Sequence, residues 1–285
     1  MTSMRWNLSR VVIREGEERL LARELGMMSS VSHPQLLLLM GHCPATHSQK
    51  LKLVFEPVML GSLYLCLYGQ GHHHLALDGV DILLQVTDGL MFLAGRGLVH
   101  RAVTSHAVQM VNKRMAKLGM LEMTVREGMV VSRPADTGWQ CLYNWLSPEV
   151  LLSEECVAQQ ESDVYSLCCL VWELCMGEVP WGDRGAMEIV SMVSRGDTLR
   201  LNRERLPRLL YRVTKLGFIC DVKQRDLDLD EVRDMLLLTR GEQEKQVRTF
   251  PSSDLCLFSS SALQRDVKRF LGCHPSSLHN QAAPD

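Results

Sequence analysis

Residues 97–111 read GLVHRAVTSHAVQMV. An apolar Leu98-Val99 pair runs into a polar turn at His100-Arg101, and the chain becomes apolar again at Ala107. Apolar runs at 107–111 and 117–121 fit a small hairpin. Beyond them stand LSPEVLL (146–152), SDVYSLCCLVWELCMG (162–177) and GEVPWGD (177–183). The 162–177 run is apolar nearly all round, which predicts a helix buried in the middle of a domain. Upstream, residues 80–96 carry apolar residues at helical spacing, as do residues 15–28 with Leu20, Leu21, Leu25 and Met28. His33-Pro34 closes the first helix, because a residue before proline is pushed out of the helical region. QLLLLMG (35–41) and LKLVFEPV (51–58) read as strands.

The composition narrows the function classes. The 285 residues are 46% hydrophobic and 22% charged, enough to bury a large core in one big domain or two lobes. A net charge of -2 and a pI near 6.6 give no support for a polyanion-binding surface. The ten cysteines are scattered, with Cys168-Cys169 inside an apolar helical pattern, as in a reduced intracellular core. No signal-peptide pattern opens the chain, and its purely apolar runs, such as LLLLM at 36–40, are far below a membrane span. These features predict a soluble, cytoplasmic protein. His72-His73-His74, and Cys43 with His47, invite a metal site, but nothing nearby supplies a fixed fourth ligand, so no metal is expected.

Taken in order, the motifs resemble the protein kinase family over roughly residues 10–240. Glu24 stands nine residues before His33, the separation between the helix-C glutamate and the H-P motif. LVFEPVMLGSL (53–63) resembles the strand and hinge between the lobes, and His100-Arg101 the start of the H-R-D loop. Leu146–Leu152 resembles A-P-E with Ser147 for alanine. SDVYS…WE resembles the central C-lobe helix, and Arg225 falls where an arginine pairs with the A-P-E glutamate, here Glu149. The resemblance implies an α+β, two-lobed fold. Residues 1–58 would be a partial N-lobe without a glycine-rich loop, 59–240 a helical C-lobe, and 241–285 a polar, flexible tail. In that tail Leu263, Val267, Phe270 and Leu271 share one helical face. An internal column of Met28, Leu39, His100 and Leu121 would be anchored by Asp163.

The same correspondence shows what is missing. Phosphoryl transfer needs phosphates and metal held and a carboxylate to orient the attacking hydroxyl. The base aspartate of H-R-D-x-x-x-x-N maps to Ala102 and the metal-binding asparagine to Ala107. The D-F-G aspartate maps to Met120, with Leu121 and Glu122 after it, and no aspartate occurs between Asp88 and Asp136. Arg14, in Val11-Val12-Ile13-Arg14, stands at the phosphate-holding lysine, only ten residues from Glu24. The hinge maps to Phe55, Glu56 and Val58, with Phe55 guarding the back pocket. The adenine floor maps to Gln109, an amide that gives up apolar contact worth about 1–2 kcal/mol. ATP is therefore not an expected cofactor. Arg101 is a candidate to hold a phosphorylated segment containing Ser132 and Thr137. Glu24 reads equally as the helix-C glutamate or as a solvated charge.

These readings predict an inactive kinase-like protein, a scaffold or regulator that contacts other proteins. LYNWLSPEVLL (142–152) and the GEVPW run are similar to an inactive, testis-expressed branch of the family. That similarity implies a place at germ-cell intercellular bridges or the midbody. The branch engages its midbody partner through a Gly-Pro-Pro motif, which this chain lacks, so that partnership does not carry over. The alternative is a nucleotide-binding or weakly active atypical kinase that uses Arg14 and Glu122 in makeshift roles.

Overall fold

Every residue from Ser162 to Leu174 is buried, and the rest of the chain is arranged around the helix that contains them. The computed structural model describes residues 15–43, 51–69, 78–133 and 140–249. Arg14, His47, His72–His74, Thr137 and the segment 262–271 lie outside those described residues.

The N-terminal part is small. Helix α1 (Glu15–Ser30) presents Leu21, Glu24 and Met28 to the interior. It stops three residues before His33, where the Ser29 and Ser30 hydroxyls donate to Leu25 O and Met27 O. Strands β1 (Leu39–Cys43) and β2 (Lys52–Phe55) pair antiparallel, with a bulge between Leu39 and Gly41. The strand expected over 35–41 is thus divided. Its first half lies along the C-terminal part, where Leu37 N–H donates to Leu118 O at 2.9 Å and Leu118 N–H to Gln35 O at 2.8 Å. Leu36 is buried there while Leu38 is exposed. A run of consecutive leucines has no period-2 signal to mark where pairing begins.

The chain crosses over along 56–62 into α2 (Leu63–Tyr68) and α3 (Gly79–Ala94). Asp78 caps α3 by accepting from Val80 N–H and Asp81 N–H. Strands β3 (Leu98–Val99), β4 (Val108–Asn112), β5 (Met115–Leu118) and β6 (Val125–Arg126) follow, paired β3 with β6 and β4 with β5. Strand β7 (Val130–Ser132) pairs with β8 (Glu155–Val157) on either side of the short helix α4 (Pro148–Leu151). The C-terminal body holds α5 (Gln160–Met176), α6 (Ala186–Ser194), α7 (Arg208–Gly217) and α8 (Leu229–Thr249). Helix α5 packs on α3 and α7, and α8 on α3 and α7. The α5–α7 approach is so close that a Cβ at Gly217 would lie 2.1 Å from Cys168 Sγ. A small α/β layer on a larger helical body is the α+β, two-lobed arrangement. Among the described residues no helix is long and apolar enough to cross a membrane.

The expected boundary at residue 240 falls inside α8, which continues to Thr249. GEQEKQVRT is polar, but Glu, Gln, Lys and Arg are good helix formers, and polarity alone does not end a helix. Arg233 pairs with Asp88 at 2.7 Å and Arg240 with Asp81 at 3.5 Å, fastening α8 along α3.

The C-terminal body is braced by Glu149 and Arg225. The Arg225 guanidinium donates to both Glu149 oxygens, at 2.9 and 3.1 Å, and to the carbonyls of Glu161 and Ile219. Burial works to raise the Glu149 pKa, but the Arg225 bonds outweigh it and hold the carboxylate below its ordinary range. Arg225→Ala leaves that carboxylate without its cation and is expected to cost about 3–5 kcal/mol. Arg195, in an exposed pair with Asp197, is the control, and Arg195→Ala should cost less than about 1 kcal/mol. Thermal melts of the two variants beside the parent check this.

Candidate functional site

The His100-Arg101 turn sits between the two lobes and is held from below by α5. Asp163 accepts His100 N–H on one carboxylate oxygen at 2.6 Å and Arg101 N–H on the other at 2.8 Å. Arg101 has φ 66°, a left-handed conformation uncommon for a side-chain-bearing residue, and the two hydrogen bonds hold it there. His100 is wholly buried. Its Nε2–H donates to Gly119 O at 2.8 Å, and its Nδ1 accepts Ala102 N–H at 3.2 Å, which fixes the neutral tautomer. Burial lowers the His100 pKa to about 4. The Arg101 guanidinium donates to Met123 O at 3.5 Å and to Ser132 O, tying the turn to β7.

Met120, just after Gly119, is also left-handed, at φ 58°. Leu121 follows in a 3-10 turn (Leu121–Met123) on which α1 packs. Met28 and Leu121 belong to the same buried cluster, and Leu39 packs against it. Glu24 is 2% exposed, so the solvated-charge reading is overturned: the carboxylate is on the buried face of α1. Ala102, Ala107 and Met120 are 1%, 0% and 2% exposed and sit in the apolar core. Glu122 is also buried.

At the hinge, Phe55 ends β2 and packs against the clusters of both lobes. Glu56 accepts both Leu38 N–H and the Lys117 ammonium, the latter at 2.6 and 2.9 Å, and joins the hinge to β5. Val58 is half-buried, and the next two residues hydrogen-bond to β4, Met59 N–H to Val111 O and Leu60 N–H to Met110 O. The Gln109 amide on β4 turns to donate to His106 O at 2.8 Å. Cys43 is exposed, and among the described residues no group of three or more His, Cys, Asp or Glu is arranged to hold a metal ion.

Sequence reading overlooked Glu173. Fully buried on α5, it accepts Ser105 Oγ–H at 2.7 Å and Tyr68 OH at 3.2 Å on one oxygen, and Trp145 Nε1–H at 2.8 Å on the other. One carboxylate thus gathers α2, the loop after Arg101 and the 3-10 turn Gln140–Trp145. Tyr64 stacks on His106 above it, with centroids 3.9 Å apart, and His106 meets Trp145 edge-on. The available signal was an acidic residue deep in the apolar part of α5, ten residues beyond Asp163, since a charge so placed needs partners.

No cation offsets the burial of Glu173, and its pKa rises to about 7 despite the three donors. Burial likewise raises Asp163 to about 6. Both groups hold protons more tightly folded than unfolded. The stability they lend is complete near their ordinary values of 4.5 and 3.8 and is lost as pH rises through 7 and 6. His100 acts oppositely: its contribution is complete above 6.5 and fades as pH falls towards 4. Between pH 6.5 and 8 loss of the Glu173 proton makes the melting temperature fall, against the opposite contributions of His33, His100 and His106, whose pKa values burial lowers. In Glu173→Gln, compared with the parent over the same interval, that fall should largely disappear.

Comparison with known proteins agrees with this geometry. Residues 11–234 match the model of the protein tyrosine and serine/threonine kinase family. The inactive serine/threonine-protein kinase TEX14 of Mus musculus is 29% identical over 300 residues, 93% of this chain and 20% of that protein. Its Bos taurus namesake is 31% identical, over 82% of this chain and 17% of its own length. The serine/threonine-protein kinase CTR1 of Arabidopsis thaliana is 28% identical over 66% of the chain and 22% of its own length. The chain thus spans about a fifth of the length of these relatives. With the Asp163-held His-Arg turn, the buried central helix and the Glu149–Arg225 brace in one frame, the chain belongs to the protein tyrosine and serine/threonine kinase family.

Proposed function

We propose that this chain is a pseudokinase: a kinase fold that transfers no phosphate and acts through the surface it presents to other proteins. One observation carries the reading. The three positions that would orient the nucleophile and hold metal are Ala102, Ala107 and Met120, all buried in the apolar core. The names of the TEX14 relatives as inactive kinases support it. The alternative, a weakly active kinase using Glu122, has less support, because that side chain is 2% exposed in the turn beneath α1. The role in cells is a scaffold or regulator, and the likeness to the intercellular-bridge branch makes bridges of dividing germ cells the place to look for it.

The purified chain is expected to incorporate no label from ATP, into itself or into a generic protein substrate, with magnesium or manganese present. Incorporation abolished by Glu122→Gln would establish the alternative instead. ATP with magnesium at ten times a dissociation constant would raise the melting temperature by about 3–5 °C, so a flat melt over millimolar ATP argues against a retained nucleotide site.

Returning the motif residues should not restore the reaction. A102D, A107N and M120D together put two carboxylates and an amide where the parent has close-packed apolar groups. A buried polar group without partners costs about 2–7 kcal/mol. The triple variant should melt well below the parent and stay inactive; a stable, active triple variant would show the site to be open. For the cellular role, a tagged chain should recover a reproducible set of proteins from testis extract. A version ending at Thr249, which keeps α8 whole, separates contacts made by the folded body from those needing residues 250–285.

A further inference from the structure

Ser147 begins α4 in the N-cap position, with φ -72° and ψ 156°, yet its side chain makes no capping bond. Residues there normally turn the hydroxyl back to accept a backbone N–H of the first turn. Here the hydroxyl is 1% exposed and has no partner within the protein. It lines a cavity of about 10 Å³ bounded also by Arg101, Ser162, Asp163 and Ser166. That volume is at the lower limit for one water molecule, and buried hydroxyls without protein partners are commonly satisfied in this way.

We propose that this cavity is a binding site for a single structural water, held by Ser147 Oγ. The chemistry of the wall selects a neutral ligand that can both donate and accept. Each Asp163 oxygen already accepts one backbone N–H and has lone-pair capacity left. The single Ser166 hydroxyl proton is directed to Trp145 O at 2.8 Å, with Ser162 O at 3.1 Å as the second acceptor within reach, which leaves the Ser166 oxygen itself as an acceptor. Ser162 spends its proton on Glu149. The rest of the wall is mostly apolar, with Leu146, Val150 and Cys156, so the Asp163 and Ser166 oxygens are the acceptors to which a water held by Ser147 would donate. An anion would face the Asp163 carboxylate and a cation the Arg101 guanidinium, so neither suits the space. The water would join the start of α4, which carries Glu149, to the Asp163 end of α5. Two braces formed by different residues would thereby become one hydrogen-bonded unit.

The test combines a high-resolution crystal structure of the full chain with thermal melts of Ser147→Ala. Alanine is the residue the A-P-E motif carries at this place, so the variant is compatible with the fold. The expected result is one ordered solvent peak within hydrogen-bond reach of Ser147 Oγ, and a melting temperature lowered by about 2–4 °C in the variant. A cavity with no solvent peak overturns the proposal whatever the melt shows. So does a variant that melts at or above the parent, since removing an orphaned hydroxyl from a dry cavity should stabilise.

Discussion

Two hydrogen bonds from Asp163 to consecutive backbone N–H groups, spanning 62 and 63 residues of sequence, set the relation of every other part of the site. They fix the N-terminal end of α5 beneath the His100-Arg101 turn. From that turn the His100 ring reaches Gly119, and the Arg101 guanidinium reaches β7. Without them Arg101 would have no reason to keep a left-handed backbone, a conformation that costs about 1–3 kcal/mol. The two acceptor oxygens thus organise the turn on which the rest of the site is hung.

The braces around this turn share one physical character. Asp163 and Arg225 are buried and Glu149 is partly buried, and each of these charged groups is satisfied by partners distant in sequence. Changing one of them leaves its partners uncompensated, so stability alone is enough to keep them. The side chains of Ala102, Ala107 and Met120, by contrast, are held only by packing in the apolar core.

Much of this was legible in the sequence because the signals were periodic or paired. The all-apolar stretch 162–177 marked the central helix, and proline after His33 marked the break near the end of α1. Glu149 and Arg225, 76 residues apart, were brought together only by the order of the motifs. What escaped was set by packing. The leucine run at 35–41 gave no hint that its first half would hydrogen-bond to β5. The polar stretch beyond residue 240 looked unstructured, yet α8 continues into it as far as Thr249. Glu173 went unassigned because its partners Tyr68, Ser105 and Trp145 come from three segments with no sequence relation to it.

The tight crossing of α5 and α7 has a consequence for how the protein opens. Cys168 sits where Gly217 leaves no room for even a methyl group, and burial pushes its thiol up to about 12. Neighbouring Cys169 is equally enclosed, whereas Cys43 is exposed. A thiol so placed is neither accessible nor ionised, and it reacts with an alkylating reagent only when the two helices part. The cysteines therefore form an internal clock. Alkylation at Cys43 runs at the rate of the reagent, and alkylation at Cys168 at the rate of helix separation. Mass spectrometry of successively quenched samples would read the opening of the core without any introduced probe.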